Sequence, residues 1–239
     1  TDFNGVVANF NQNINASNSQ GLEGDNYTTA LNLLANPDEF QYNLISLPGL
    51  YQADYATQIS SLVNTSQYRG DSIAIIDGVR YGSSITAART QAAGIDSSYA
   101  ATYWPWVQTI DPDLGDQVWV PASTLIPGVY AYNDESSEAW FAPAGLSRGG
   151  LGTVIRAERK LTNGNRDDLY QSGVNPIATF PNTGVVVFGQ KTLQKKASAL
   201  DRVNVRRLLI ALKGFISQIA DNLVFEQNTI ATRNNFLAQ

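Results

Sequence analysis

Three aspartates in one short turn have the spacing that comes nearest to a chemical site. Asp111, Asp113 and Asp116 lie in the stretch DPDLGD, and alternating carboxylates of this kind begin the calcium loops of EF-hand proteins. An EF-hand loop also needs a glycine at its sixth position and a glutamate at its twelfth, and this stretch has neither at those positions. We therefore keep calcium binding as an alternative and favour a plain acidic turn between two strands.

Three residue types are missing from the chain, and their absence excludes several kinds of chemistry. Its 239 residues include no cysteine, no histidine and no methionine. Without cysteine there is no disulfide, no thiolate nucleophile and no cysteine-based zinc site. Without histidine there is no Ser-His-Asp triad, and the usual group for proton transfer near neutral pH is lost. We predict that the protein is not an enzyme and that it binds no metal or other cofactor.

Aromatic residues in the middle of the chain allow a second interpretation. Trp104 and Trp106 flank a proline, and such a pair can line a sugar-binding groove. Asp111 and Asp134 would then serve as acid and base in a secreted carbohydrate-binding or carbohydrate-active domain. Such carboxylates must stand about 5 to 10 Å apart across a cleft, and nothing in the sequence places them so. We favour a core position for the tryptophans, which are buried in most proteins.

A glycine-rich loop raises the question of nucleotide binding. Four glycines, Gly145, Gly149, Gly150 and Gly152, follow an aromatic turn. The stretch contains neither the GxGxxG pattern nor the GK[ST] pattern of phosphate-binding loops, and no lysine follows the glycines closely. The sequence therefore predicts no nucleotide site here.

The overall charge argues against nucleic acid as a direct partner. Sixteen Lys and Arg stand against 21 Asp and Glu, which leaves a net charge of −5. A phosphate-binding protein needs the opposite balance. No apolar run reaches the roughly 18 to 20 residues of a membrane helix, so we expect no membrane insertion. Only 15% of the residues are charged, a composition that suits lasting contact with other chains as well as an ordinary polar surface.

The strongest helical pattern lies between residues 201 and 224, with Asp201 as the predicted N-cap. Its apolar residues recur at steps of three and four, which places them on one side of a helix. This spacing predicts a helix whose apolar stripe is buried in the core. The stripe consists of Val205, Leu208, Leu209, Leu212, Phe215, Ile216 and Ile219.

Strands and helices are predicted to alternate before this helix. The runs at 41–47, 72–78 and 185–191 are typical of buried strands, and those at 54–64, 84–93 and 162–173 of helices. The stretches 99–110 and 117–120 predict a hairpin around the acidic turn, while 175–184 is typical of a loop. This alternation indicates an α/β fold with a largely parallel sheet.

A series of motifs resembles the contractile tail sheath proteins of myophages, a family that includes R-type pyocin sheaths and, more distantly, type VI secretion sheaths. The ordered motifs are TYWPWV, VWVPAS, GVYAYND, AWFAPAG, RDDLYQSGVNPI, TGVVVFGQKTL and DRVNVRRLLIAL. They span about residues 99–236, and residues 25–98 fit the preceding part of the family by order of elements.

The resemblance implies a mixed sheet flanked by helices, in a subtilisin-like middle domain over residues 25–150 and a smaller α+β C-terminal domain over 151–239. Residues 1–24 would be a connector left from an insertion domain. The chain begins without methionine and runs out within a helical pattern, so we expect it to be a piece of a longer protein.

The resemblance also implies partners and a location. Family members form six-fold rings, stacked in a helix around a tail tube, that contract. We expect the chain to contact copies of itself, the tail tube protein, and baseplate and tail terminator proteins. It would belong to the virion and be assembled in the host cytoplasm.

Charged residues near the long helix are our candidates for contacts. We predict that Arg206 and Arg207 face carboxylates in the same or an adjacent subunit, with solvated arginines as the alternative. Lys191, Lys195 and Lys196 form a compact basic cluster that would touch the tube or an adjacent ring. A mobile surface loop is the plainer interpretation of these lysines, and we favour it.

Overall fold

The computed structural model describes residues 24–238, with side chains from residue 27 onward. Residues 1–23, nearly all of the predicted connector, lie outside this range. Within the described part, helices and strands alternate through most of the length.

The strands are β1 Leu44–Tyr51, β2 Ile73–Asp77, β3 Ala100–Trp104, β4 Val107–Ile110, β5 Gln117–Val120, β6 Val154–Ala157, β7 Val174–Phe180 and β8 Gly184–Val187. The helices are α1 Gly24–Leu34, α2 Ala56–Arg69, α3 Ile85–Ala93, α4 Ile126–Ser136, α5 Asn163–Gln171, α6 Val203–Asp221 and α7 Ile230–Ala238.

A five-stranded sheet forms the centre, in the order β1-β2-β3-β7-β8. Its first four strands are parallel, and β8 runs antiparallel to β7. A smaller antiparallel sheet has the order β5-β4-β6. The predicted fold class, an α/β protein with a mixed sheet flanked by helices, is confirmed; the subtilisin-like detail stays a prediction.

Alternation along the buried strands divides the interior into two cores. Ala74 and Ile76 of β2 face one side of the sheet, while Ile73 and Ile75 face the other, because successive side chains of a strand point in opposite directions. The first core includes residues of helices α1, α2, α3 and α5. The second includes residues of α4, of the small sheet and of the start of α6. Both faces of the central sheet are therefore covered.

Local sequence signals set the ends of several helices. The Ser84 side chain accepts a hydrogen bond from the Ala87 N–H at the start of α3, and Thr162 does the same for Asn165 before α5. Helix α2 ends at Gly70, whose φ of +67° is the left-handed conformation that glycine adopts readily. These helices lie where the sequence predicts them.

Strand β7 corrects the prediction of a loop over residues 175–184. The prolines and the Asn-Thr-Gly turn suggested irregular structure, yet Val174–Phe180 is a strand within the central sheet. Pro176 accepts a hydrogen bond at its carbonyl from the Phe188 N–H, just past the end of β8. The backbone N–H that Pro176 lacks is therefore absent only at the position where the pairing of β7 with β8 ends. Strand β7 tolerates the proline for this reason.

Two further boundaries differ from the predictions. The single strand predicted over 99–110 is divided at Pro105 into β3, in the central sheet, and β4, in the small sheet. The β4–β5 hairpin closes around the acidic turn as predicted. Helix α6 begins at Val203 with Arg202 as its N-cap residue, because Asp201 belongs to a preceding 3-10 turn.

The predicted division into domains at residue 150 stays a prediction. Strands β7 and β8, which come from the range assigned to the C-terminal domain, pair into the central sheet beside β3. Helix α6 follows them and starts against the second core through Val203.

Candidate assembly surface

Helix α6 is attached to the rest of the chain by its first turns. Its buried residues are Val203, Arg206 and Arg207. On a helix of 3.6 residues per turn these three lie on one side, which faces the domain. Two arginines therefore occupy positions where a core helix usually places apolar side chains.

Arg207 is paired with a carboxylate of helix α4. Its guanidinium forms a two-pronged ion pair with Asp134, and the Nη1–Oδ1 distance is 2.8 Å. The guanidinium also lies 4.8 Å from the centroid of the Tyr130 ring. Burial raises the pKa of Tyr130 to about 12, so its hydroxyl stays protonated and shares a hydrogen bond with the Tyr103 hydroxyl. The ion pair between Arg207 and Asp134 therefore joins helix α6 to helix α4.

No carboxylate faces Arg206 in the described part of the chain, so a carboxylate of an adjacent subunit stays a prediction for this residue. Its Nη2 donates to the Ser98 hydroxyl, and the guanidinium stacks 4.0 Å from the centroid of the Tyr99 ring. Its Nε is buried and has no hydrogen-bond partner among the described residues. Burial lowers the pKa of Arg206, and the nearby Tyr99 opposes that shift.

Lys213 supplies a further attachment two turns along the helix. Its Nζ donates to the Arg69 carbonyl at the end of α2, over 2.8 Å. Residues 212–218, a range that includes Lys213, are exposed on every side of the helix. The C-terminal half of α6 therefore projects away from the domain.

The prediction that the apolar stripe of α6 is buried is wrong for this chain. Four of its members are largely exposed, Leu209 at 42%, Leu212 at 44%, Phe215 at 58% and Ile216 at 51%. The others, Val205, Leu208 and Ile219, are half-buried. The stripe lies on the side of the helix opposite Val203, Arg206 and Arg207, so docking through those residues turns it outward. Periodicity showed which residues lie together but not which side meets the domain.

The three predicted lysines are only partly brought together. The Lys191 Nζ lies 4.8 Å from the centroid of the Tyr170 ring, while Lys195 and Lys196 are exposed. Lys191 and Lys195 line a cleft of about 710 Å³ with Arg89, and Lys196 is not part of its lining. Contact of these lysines with a tube or another ring stays a prediction.

The chemical alternatives considered for the middle of the chain find little support. The Asp111 carboxylate accepts a hydrogen bond from the Asp113 N–H and so shapes the turn. No group of residues suited to hold a metal ion occurs in residues 24–238. Trp104 and Trp106 are buried, at 2% and 6% exposure, so the core position that we favoured is confirmed and the alternative of a sugar platform is not supported.

The glycine loop has a structural explanation that the sequence did not reveal. The Gly149 carbonyl accepts a hydrogen bond from the Val187 N–H, and the Val187 carbonyl accepts one from the Gly145 N–H. A Cβ atom on Gly149 would lie 2.6 Å from the Val187 carbonyl oxygen and 2.8 Å from Gly145 backbone atoms. Only glycine fits this close approach of two backbones.

A buried carboxylate at the end of β2 was also missed. Asp77 accepts hydrogen bonds from the Ser123 N–H and hydroxyl, and burial raises its pKa to about 6, a shift that these bonds and one from the Gly49 backbone partly offset. It joins the central sheet to the turn before α4. A lone acidic residue directly after a run of buried apolar residues is the signal that could have identified it.

An outward-facing apolar stripe of this kind is typical of a surface that contacts another molecule. Among the described residues, no helix is both long and apolar enough to cross a bilayer. These features define an α/β domain with an uncovered apolar face on helix α6.

Comparison with known proteins agrees with this class. Residues 5–193 match the family described as phage tail sheath protein central domain. The tail sheath protein of Vibrio phage KVP40 is 37% identical over 172 residues, which are 71% of this chain and 26% of that protein. That of Enterobacteria phage T4 is 36% identical over 142 residues, 59% of this chain and 22% of that protein.

Solved structures give the same result. The helical sheath of the anti-feeding prophage in its contracted state matches with a TM-score of 0.69 and 26% identity, over 90% of this chain and 57% of that one. The chain belongs to the phage tail sheath family. It spans about a quarter of the length of the curated relatives it matches.

Proposed function

We propose that the chain is part of the structural subunit of a contractile phage tail sheath. In this proposal, subunits polymerise as stacked six-fold rings around the tail tube and contract to drive the tube through the host envelope during genome delivery. The observation that carries the proposal is the likeness to the contracted anti-feeding prophage sheath, which extends over 90% of the chain.

The physical requirements of such an assembly are compatible with this chain. A sheath that propagates along an axis needs interfaces that join different surfaces of neighbouring subunits and do not close on themselves. It also needs rigid domains that can pack in two arrangements, of which the contracted one has the lower free energy. A domain with both sheet faces filled supplies the rigid unit, and the outward stripe of α6 supplies uncovered apolar surface.

The proposed partners follow from the same comparison. The proposed partners are other copies of the subunit, the tail tube protein, and baseplate and tail terminator proteins. A baseplate contact is supported by the likeness to a chain of the anti-feeding prophage baseplate, with a TM-score of 0.71 and 26% identity. The protein would act in the virion after assembly in the host cytoplasm, and it would do so without catalysis.

The test is negative-stain electron microscopy of the full-length protein that contains this chain. We expect striated tubes with six-fold symmetry in end view. Co-expression with the tail tube protein should yield longer tubes of uniform diameter with a filled lumen. Monodisperse particles under both conditions, without rings or tubes, would contradict the proposal.

A further inference from the structure

The described part of the chain contains three buried arginines, and one of them has no negatively charged partner. Arg69, Arg206 and Arg207 are 5%, 8% and 4% exposed. A buried charge is costly unless it is paired and hydrogen-bonded. How each guanidinium is satisfied can therefore be compared within one molecule.

Arg69 and Arg207 are both satisfied by groups of the same chain. Arg69 donates through Nε and Nη2 to the Asp71 carboxylate, and through Nη1 and Nη2 to the carbonyls of Leu34 and Phe40. Arg207 donates through both terminal nitrogens to Asp134. Each of these two guanidinium groups thus meets a carboxylate in a two-pronged arrangement.

Arg206 makes one hydrogen bond, to a neutral hydroxyl. Its Nη2 donates to Ser98, while neither Nε nor Nη1 has an acceptor among residues 24–238. The Tyr99 ring beneath it offers a weak attraction and no acceptor in the plane of the guanidinium. Arg206 therefore lacks the carboxylate partner that the other two buried arginines have.

The surroundings of Arg206 add positive charge. Lys213 lies seven residues further along the same side of α6. A Cβ atom placed on Gly70 would lie 2.7 Å from the Lys213 Nζ and 3.6 Å from the Tyr99 hydroxyl, so both groups lie beside Gly70 at the end of α2. The nearby Asp71 is already held by Arg69. An incoming carboxylate would thus meet two cations.

We propose that Arg206, assisted by Lys213, receives a carboxylate from a second copy of the sheath subunit. The inference rests on the proposed sheath function. A carboxylate is favoured because its two oxygens match the planar fork of arginine. A second copy is favoured because the chain carries 21 acidic residues against 16 basic ones, and because the same helix carries the uncovered apolar stripe on its opposite side.

The test compares Arg206→Gln with Arg207→Gln in the full-length protein. Thermal unfolding is measured on subunits kept unassembled by dilution, and assembly is measured by sedimentation and electron microscopy. We expect Arg206→Gln to leave the unfolding temperature unchanged or raised. The same variant should increase the subunit concentration needed for assembly by about tenfold or more and flatten its salt dependence. Arg207→Gln should instead lower the unfolding temperature.

Arg206→Lys provides a second variant that keeps the charge but loses the fork. It should fold normally and assemble less readily than the wild type, with its salt dependence retained. The proposal would be overturned if both Arg206 variants assembled as readily as the wild type. It would also be overturned if both variants had a lowered unfolding temperature, because the arginine would then stabilise its own chain. Absence of tubes in the wild type would instead overturn the sheath function itself.

Discussion

The Arg207 guanidinium and the Asp134 carboxylate form a two-pronged ion pair between helices α6 and α4, across 73 residues of sequence. The arginine side chain is 4% exposed and the aspartate 31%. The two partners therefore depend on the pair to different degrees. Arg207 cannot reach water if the pair is broken, whereas Asp134 can.

This difference predicts unequal costs for the two halves of the pair. Asp134→Ala leaves a buried charge unpaired and should lower the free energy of unfolding by about 3 kcal/mol. Arg207→Met leaves a carboxylate that water can solvate and should cost less than about 2 kcal/mol. Urea denaturation measures both. Glu135→Ala, on the exposed side of α4, is the control and should change stability by less than about 0.5 kcal/mol. Equal costs for the two partners would contradict this account.

The buried Asp77 predicts a dependence of stability on pH. Its pKa in the folded protein is about 6, raised from 3.8 mainly by desolvation, so the folded state holds this proton more tightly than the unfolded state does. Its contribution to stability is therefore fully present below about pH 4 and is lost as the pH rises toward and through 6.

Asp77→Asn removes this titration. The difference in unfolding free energy between variant and wild type, measured by urea denaturation from pH 4 to 7.5, should change across that window in favour of the variant as the pH rises. The Asp113→Asn substitution, in the exposed acidic turn, serves as the control for loss of a carboxylate outside the core. A flat difference for Asp77→Asn would contradict the raised pKa of this carboxylate.

The exposed stripe of α6 predicts that its side chains contribute little to the stability of the unassembled chain. Phe215→Ala should change the free energy of unfolding by less than about 0.5 kcal/mol. Leu62→Ala, at a fully buried position of α2, should cost about 2 to 5 kcal/mol. Chemical denaturation at low protein concentration separates the two. A large loss for Phe215→Ala would restore the original prediction of a buried stripe.

The glycine loop predicts a sharp contrast between near neighbours. Gly149→Ala forces a Cβ against the Val187 carbonyl and should cost more than about 2 kcal/mol, since backbone on both sides must move. Gly152→Ala meets no atom within 4 Å and should be nearly neutral. Thermal unfolding of both variants checks this. Similar melting temperatures for the two would show that the loop can relax.

Sequence reasoning succeeded where one local pattern decides the structure. Strand β2 is a short apolar run buried on both faces, and α3 begins at a serine that caps it. Both the alternation of elements and the hairpin around the acidic turn follow from such patterns. These features depend on neighbours in sequence, so residue types and spacing suffice to place them.

It failed where the outcome depends on distant partners. Strand β7 contains a proline that is tolerated only because β8 stops beside it. The side of α6 that meets the domain is decided by Asp134 and by the Arg69 carbonyl, which lie far away in the sequence. Amphipathic spacing cannot show whether a helix docks by its apolar side or by its arginines.

The way in which α6 is fastened has a mechanical consequence. Its 19 residues extend about 28 Å, and its ties to the domain all lie within the first eleven. The helix is therefore held near Arg206 and Arg207, and its C-terminal part can tilt about these two residues. From Arg207 to Asp221 the helix extends about 21 Å, so a tilt of about 10° would carry its far end through roughly 4 Å, which is most of the rise of one helical turn. A small rearrangement of side chains around Arg206 and Arg207 is thereby converted into a large displacement of the apolar stripe.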